Sequence, residues 1–290
     1  MGNTDTLTIR SHDHLSRQLV EIAKQNRSTV KAPSCFSSFI QQYYAHASLL
    51  DLSRYPLDIL YGKVHSMWEW LHSREQDACK VRVYRAEKNR DGWRSPTTLI
   101  EIVMRDMPFI VDSVHMALSE LGYVINFTIN IGGLGVKRKG NAIEAIYPIG
   151  HLEQGADLEA VVQMEIDHPL EAEECQSIQR WLLGVLSDVQ LSVNDWGAML
   201  TEATRTIDAL ESTRDQAENK ELSEAVAFIK WLCQDNFACL GHSHYDIKCE
   251  YKAEELILKP KDPLGLCKEW QLPKKQLAYA SMPKQARKLA

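Results

Sequence analysis

The chain has 290 residues, 44% of them apolar and 25% charged, a balance that suits one or two folded domains. A net charge of −6 disfavours bulk electrostatic binding to nucleic acid, and no run of 18 apolar residues is present to span a membrane. The seven cysteines (Cys35, Cys79, Cys175, Cys233, Cys239, Cys249 and Cys267) are an odd set without CxxC spacing, which points to reduced thiols in a cytoplasm and away from a disulfide framework or zinc ribbon.

The first seventy-odd residues carry helical periodicity. "HLSRQLVEIAKQ" spaces Leu15, Leu19 and Ile22 as one face, with Asp13 as its cap. "PSCFSSFIQQYYAHAS" repeats the pattern through Phe36, Phe39, Ile40 and Tyr43. A third helix is expected after Pro56, with Leu57, Leu60, Val64, Met67, Trp68 and Leu71 on one side. These aromatic-rich stripes read as core.

The period then shortens. "VRVYRAE" from Val81 reads as a strand, "DGW" as a turn, and "TTLIEIVM" as a strand with Ile100, Ile102 and Met104 on one face. A helix follows through Ile110, Val114, Ala117, Leu118 and Leu121, stopped at Gly122. "YVINFTINI" alternates, so Tyr123, Ile125, Phe127, Ile129 and Ile131 are expected to share a face. A hairpin at Lys139-Gly140-Asn141 returns through "AIEAIYPI", with Lys137, Arg138 and Lys139 as its solvated tip. In "EAVVQMEIDHP", Ala160, Val162, Met164 and Ile166 share a face. The next helix starts near Glu171 and stripes Ile178, Trp181, Leu182, Val185, Leu186 and Val189. Two more helices are expected at roughly 197–213 and 220–235.

Strand, helix, strand, strand, further strand, helix is the order of a split βαβ, ferredoxin-like domain of the α+β class, with an antiparallel sheet and helices on one face. Its closing strand is expected from "FACLGHSHYDIKC", Phe237 to Cys249. The boundaries read as a helical segment 1–75, an α+β domain 76–195, a helical pair with a returning strand 196–250, and a basic linker 251–290. The segment from Gln271 holds five cations (Lys274, Lys275, Lys284, Arg287 and Lys288) and no acid, and reads as leading towards a further domain.

Few patterns carry chemistry. The glycines of "IGGLGVKRKG" miss both phosphate-loop spacings and lead into a hairpin, so a bulge followed by a turn explains them. Cys239, His242 and His244 are weak metal candidates beside Cys249, since alternation sets the cysteine opposite the histidines. The loop "MRDMPFIVDSV" is the remaining candidate. Asp106 reads as the cap of the helix that follows, Pro108 suits its first turn, and Asp112 and Ser113 come next.

That loop also carries a resemblance. ACT-type sensing domains have a strand, an Asp-x-Pro-Gly loop and an aliphatic helix, and "RDMPFIVDSV" is similar to that junction. Together with "FIQQYYAHASLLDL", "LYGKVHSMWEW", "VRVYRAE", "QMEIDH", "VLSDVQLSVNDW" and "EAVAFIKWLCQDNFACLGHSHYDI", it resembles the N-terminal region of the large bacterial NAD-specific glutamate dehydrogenases. The similar pieces run from residue 36 to residue 250.

The resemblance implies a regulatory and assembly region without catalytic or cofactor-binding residues of its own. The parent enzyme would oxidise L-glutamate to 2-oxoglutarate and ammonia, passing hydride to NAD in a downstream Rossmann unit. Implied partners are the chain's own catalytic region and other subunits of a cytoplasmic homo-oligomer. An amino-acid effector would be held at Asp106, Met107, Pro108, Phe109, Asp112 and Ser113. Phe109 departs from the pattern, standing where sensing domains carry glycine, and Arg105 stands where the dehydrogenases usually carry an acid. The alternative is a self-contained ACT-like small-molecule-binding or dimerising scaffold.

Overall fold

The computed structural model describes residues 9–26, 30–74, 78–140, 142–212, 220–246, 255–256, 259–269 and 277–278. Two compact units result, Met1–Leu186 and Ser187–Ala290. In the first, helices α1 (His12–Gln25), α2 (Pro33–Tyr43) and α4 (Leu57–His72) form where the periodicity places them, and a single turn, α3 (Leu49–Leu52), adds to them between α2 and α4. The cap of α1 is Ser11, whose hydroxyl accepts the His14 N–H at 3.1 Å; Asp13, expected in that role, lies inside the first turn. Its charge suits the helix dipole there.

The stripe of α4 is buried as expected, except that Lys63 lies within it, fully buried beside Leu60, Val64 and Met67. On another side of α4, Gly62 admits Trp93. A methyl group at Gly62 would stand 2.5 Å from the Trp93 Cγ and 2.8 Å from its Cβ, the root of the side chain rather than its tip. Gly62→Ala is therefore expected to lose about 2 kcal/mol. Overpacking costs up to about 3 kcal/mol, and alanine's helix propensity returns ~1 kcal/mol. Urea unfolding reads this, and an unchanged midpoint would mean that Trp93 swings aside freely.

The sheet is built from β1 (Lys80–Tyr84), β2 (Thr98–Arg105), β3 (Ile125–Lys139), β4 (Ala142–Tyr147) and β5 (Ala156–Ile166), in the order β1-β2-β5-β3-β4, with every pair antiparallel. A single turn, α5 (Lys88–Asp91), separates β1 from β2. Helix α6 (Ile110–Glu120) links β2 to β3, so β5 lies between two strands that run parallel to each other. That is the split βαβ arrangement. Gly122, at φ +82°, ends α6 as expected, with the Tyr123 N–H reaching back to the Leu118 carbonyl.

The closing strand is not the one expected. The place beside β2 is filled by β1, paired from Lys80 opposite Val103 to Tyr84 opposite Leu99. A strand preceding the βαβ unit thus completes it, and nothing from Phe237 onward joins this sheet among the described residues.

One face of the sheet takes α6 and the first part of α7 (Ala172–Asn194). Ile100, Ile102 and Met104 pack there with Ala160, Val162, Met164, Ile166, Val114 and Leu182, as the alternation predicts. Trp181, counted with that stripe, is instead 47% exposed. The opposite face is roofed by α1, α2 and α4 through Val103, Phe127, Ile129, Ile131 and Val161.

The shared face expected for Tyr123 to Ile131 is broken. Ile125 lies opposite Ile166, but Phe127 already lies opposite Glu165, so one extra residue is inserted in β3. Since the side-chain period is two, that bulge sends Tyr123 and Ile125 to the α6 side and Phe127, Ile129 and Ile131 to the roof. A second bulge falls between Ile131 and Leu134, at Gly132-Gly133, with Gly133 at φ +70°. The glycines therefore serve a bulge and then the turn at Gly140, as expected; Asn141 lies outside the described residues. A third shift in register, between Lys137 and Arg138, inserts Glu144 in β4 and leaves β3 in step, so Arg138 follows Leu134 and Val136 to the roof side and the tip is not wholly solvated: its side chain is 8% exposed.

The second unit holds the end of α7, then α8 (Trp196–Glu211), α9 (Lys220–Trp231) and a kinked turn at Leu232–Asn236 with Asp235 at φ +58°. Strand β6 (Gly241–Asp246) pairs with β8 (Lys259–Gly265), and β7 (Glu255–Leu256) with β9 (Leu277–Ala278). Asp195 ties this unit together, accepting the Gly265 N–H at 2.7 Å and pairing with Lys268 at 2.6 Å. The cations Lys274, Lys275, Lys284, Arg287 and Lys288, like Cys249, lie outside the described residues.

Candidate functional site

The loop between β2 and α6 brings Asp106, Met107, Pro108 and Phe109 together ahead of Asp112 and Ser113. Asp106 does not cap the helix. The N-cap is Phe109, which makes no side-chain cap hydrogen bond, and its carbonyl accepts the Ser113 N–H at 3.0 Å. Asp106 is three residues too early, and its carboxylate is engaged elsewhere. It accepts the backbone N–H groups of Gly133 and Met107, while its own N–H donates to the Leu158 carbonyl at 2.9 Å. The bulge explains this. Gly133 in the left-handed conformation turns its amide towards the loop, and a Cβ at Gly132 would stand 3.4 Å from an Asp106 oxygen. Asp106 is thus a latch from the loop to β3.

Burial pushes the Asp106 carboxyl above its usual 3.8, against the opposing pull of the two amides. The folded state therefore favours the protonated acid. That contribution is full below the unfolded value and is lost as pH rises through the raised folded one. Asp106→Asn keeps an acceptor for Gly133 but cannot ionise. Wild-type stability relative to this variant is expected to fall as pH rises through the acid range and then level off. Paired urea unfolding series from acid to neutral pH measure it; a constant difference would remove the shift.

Phe109 occupies φ +73°, ψ 2°, and its ring is 49% exposed. It takes the left-handed backbone that glycine accepts without strain. A groove of about 470 Å³ lined by Leu121, Tyr123, Ile178 and Trp181 lies at the other end of α6, with Glu173, Glu174 and Ser177 on its wall. Eleven helical residues separate it from the loop.

The strongest polar feature is one that sequence reasoning missed. Three buried carboxylates point from the sheet into the roof, and each accepts three donors. Glu165 takes Lys63, the Tyr55 hydroxyl at 3.0 Å and the Thr97 hydroxyl at 2.9 Å. Glu101 takes Arg82, the Tyr84 hydroxyl at 3.2 Å and the Gln163 amide at 2.7 Å. Glu159 takes Arg74 at 2.8 Å and Arg138 at 2.8 and 3.0 Å. Burial drives the Lys63 ammonium down, opposed by Glu165, and raises the Tyr55 and Tyr84 hydroxyls. Every oxygen is engaged and shielded: Glu165 joins α4 to the sheet, Glu159 joins the chain after α4 to it, Glu101 ties β1, β2 and β5 together, and none is a free general base. The signal was available: a lysine in the apolar stripe of α4 needs a buried anion.

In the second unit, His242 and His244 lie on β6 with rings 5.9 Å apart, and Cys239 precedes them. Among the described residues no three His, Cys, Asp or Glu side chains gather closely enough to hold a metal ion. No described helix is long and apolar enough to cross a membrane.

Comparison with known proteins adds the following. The family described as "Glutamate dehydrogenase, ACT1 domain" matches residues 39–182. The NAD-specific glutamate dehydrogenase of Halomonas elongata is 31% identical over 254 residues, covering 87% of this chain and 16% of that protein. That of Pseudomonas aeruginosa is 30% identical over 229 residues, covering 79% and 14%. The chain spans about a sixth of the length of the curated relatives it matches.

Proposed function

We propose, from the match of residues 39–182 to the glutamate dehydrogenase ACT1 domain family, that the chain is a non-catalytic regulatory and assembly region of a much longer NAD-dependent glutamate dehydrogenase. The parent protein would oxidise L-glutamate to 2-oxoglutarate and ammonia in the cytoplasm, with NAD bound outside this region. Its partners would be its own catalytic region and further copies of itself.

One observation carries the assembly role. On its far side β3 pairs with β4 only from Gly135 to Lys139, so Ile125–Leu134 present an unpaired edge among the described residues. Such an edge accepts another strand. A role as an open amino-acid site has less support, because the Asp106 carboxylate already occupies the Gly133 amide that a ligand's carboxylate would use.

Two measurements test this reading. The 290-residue chain should form no NADH from glutamate and NAD, and any turnover by it overturns the proposal. Calorimetric titration with L-amino acids should release no heat at the loop. Tight binding that disappears in Asp106→Ala would restore the loop as a sensor.

A further inference from the structure

We propose that the groove between the end of α6 and the first turns of α7 docks a lysine-bearing amphipathic helix of a different chain. The inference goes beyond the assembly reading and does not depend on the β3 edge.

The groove joins an apolar floor to an acidic wall. Leu121, Tyr123, Ile178 and Trp181 make the floor, and Leu121 and Trp181 are each 47% exposed. A tryptophan left that open forgoes much of what its burial would return, and tryptophan and tyrosine together are the residues on which protein contacts most often anchor. Glu173 and Glu174 stand on the wall, and no lysine or arginine lines the groove among the described residues. The helix itself accounts for Glu174, which lies in the first turn of α7 and accepts the Glu171 N–H at 3.0 Å. It does not account for Glu173. The Ser177 hydroxyl reaches only the Glu173 backbone carbonyl, at 3.0 Å, and its carboxylate has no hydrogen-bond or ion-pair partner among the described residues. Arg180, the one cation of α7, turns back to the Gln176 carbonyl and the Ser177 hydroxyl, each at 3.4 Å.

Shape and charge together select the occupant. The α7 residues of the groove run from Glu173 to Trp181, about 12 Å of helix at ~1.5 Å per residue. That is just over two turns, room for the anchors at i, i+3 or i+4, and i+7 with which an amphipathic helix enters a groove. No lining residue belongs to a strand, so an extended peptide would find no ladder to join. Lysines beside the apolar stripe of the incoming helix would meet Glu173 and Glu174 while the stripe covers Leu121 and Trp181. A second copy of this chain does not offer such a helix. Counting Asp and Glu against Lys and Arg, none of its described helices of eight residues or more is net positive.

Two labelled helical peptides with the same leucine stripe, one carrying lysine and the other glutamate at the remaining positions, test this by fluorescence anisotropy with the 290-residue chain. The lysine peptide should bind saturably, and the glutamate peptide should not. Trp181→Ser should weaken the lysine peptide by about tenfold or more, the usual consequence of removing an aromatic anchor. Glu173→Lys should weaken it as well and admit the glutamate peptide. Both positions are exposed, so circular dichroism should be unchanged in either variant. Absence of saturable binding, equal binding of the two peptides, or binding that Trp181→Ser leaves unmoved overturns the proposal. So does a wild-type dimer in sedimentation equilibrium that Trp181→Ser dissociates, because a second copy would then fill the groove.

Discussion

Replacing Lys63 with methionine is expected to cost about 3–5 kcal/mol, the loss typical of stranding one member of a buried ion pair. Lys63 and Glu165 are 1% and 2% exposed, and they face each other from α4 to β5. The ammonium also sits 3.5 Å from the centre of the Tyr55 ring and 5.0 Å from that of Phe127. Without it, Glu165 keeps two neutral donors but remains a buried, uncompensated anion. The double variant Lys63→Met/Glu165→Met should therefore recover most of the loss. It removes both charges, and the orphaned donors have alternatives: Tyr55 is only part-buried, and the Thr97 hydroxyl lies 3.0 Å from that of Ser95. Urea unfolding of the three proteins reads the coupling. A single variant within 1 kcal/mol of wild type would mean that water reaches Glu165, about the worth of an exposed pair.

The same pair shows why the sequence disclosed one face of the sheet and not the other. Ala160, Val162, Met164 and Ile166 alternate with Glu159, Val161, Gln163 and Glu165. Such alternation predicts one buried and one wet face. The buried face was legible for that reason, as were the helices that pack on it. The other face is buried too, because α1, α2 and α4 cover it, and its acids are paired because α4 and the chain after it bring Lys63 and Arg74. Local alternation cannot report a roof supplied by residues a hundred positions away. The same limit applies to β1: its apolar pattern identified a strand, but only the sheet reveals that it takes the closing place. The bulge at Ile125 is a third case, since a perfect alternation in "YVINFTINI" conceals an inserted residue that divides the strand between two cores. At the loop, proline and aspartate marked a helix start correctly within three residues. Asp106 was misassigned because its true partner, the Gly133 amide, becomes available only through that strand's second bulge.

Glu159→Gln should prove as damaging as Lys63→Met, again about 3–5 kcal/mol, and for a reason that charge counting makes specific. Glu159, 1% exposed, holds two arginines, Arg74 and Arg138, 3% and 8% exposed. The cluster already carries one surplus positive charge, and Arg138 Nη1 is buried without a hydrogen-bond partner among the described residues. Glutamine preserves the size of the side chain. It leaves two buried cations facing each other, however, and turns an amide donor towards groups that can only donate. Arg138→Met moves the other way. It leaves a one-to-one pair between Glu159 and Arg74 and removes the unpartnered nitrogen, losing mainly the bidentate bonds and that to the Leu71 carbonyl at 3.1 Å. Its expected loss is smaller, about 1.5–3 kcal/mol. Urea unfolding of both variants tests the ranking. Should Arg138→Met prove the more damaging, packing of the arginine stem beneath the roof outweighs the charge surplus, and the cluster is held by shape more than by its ions.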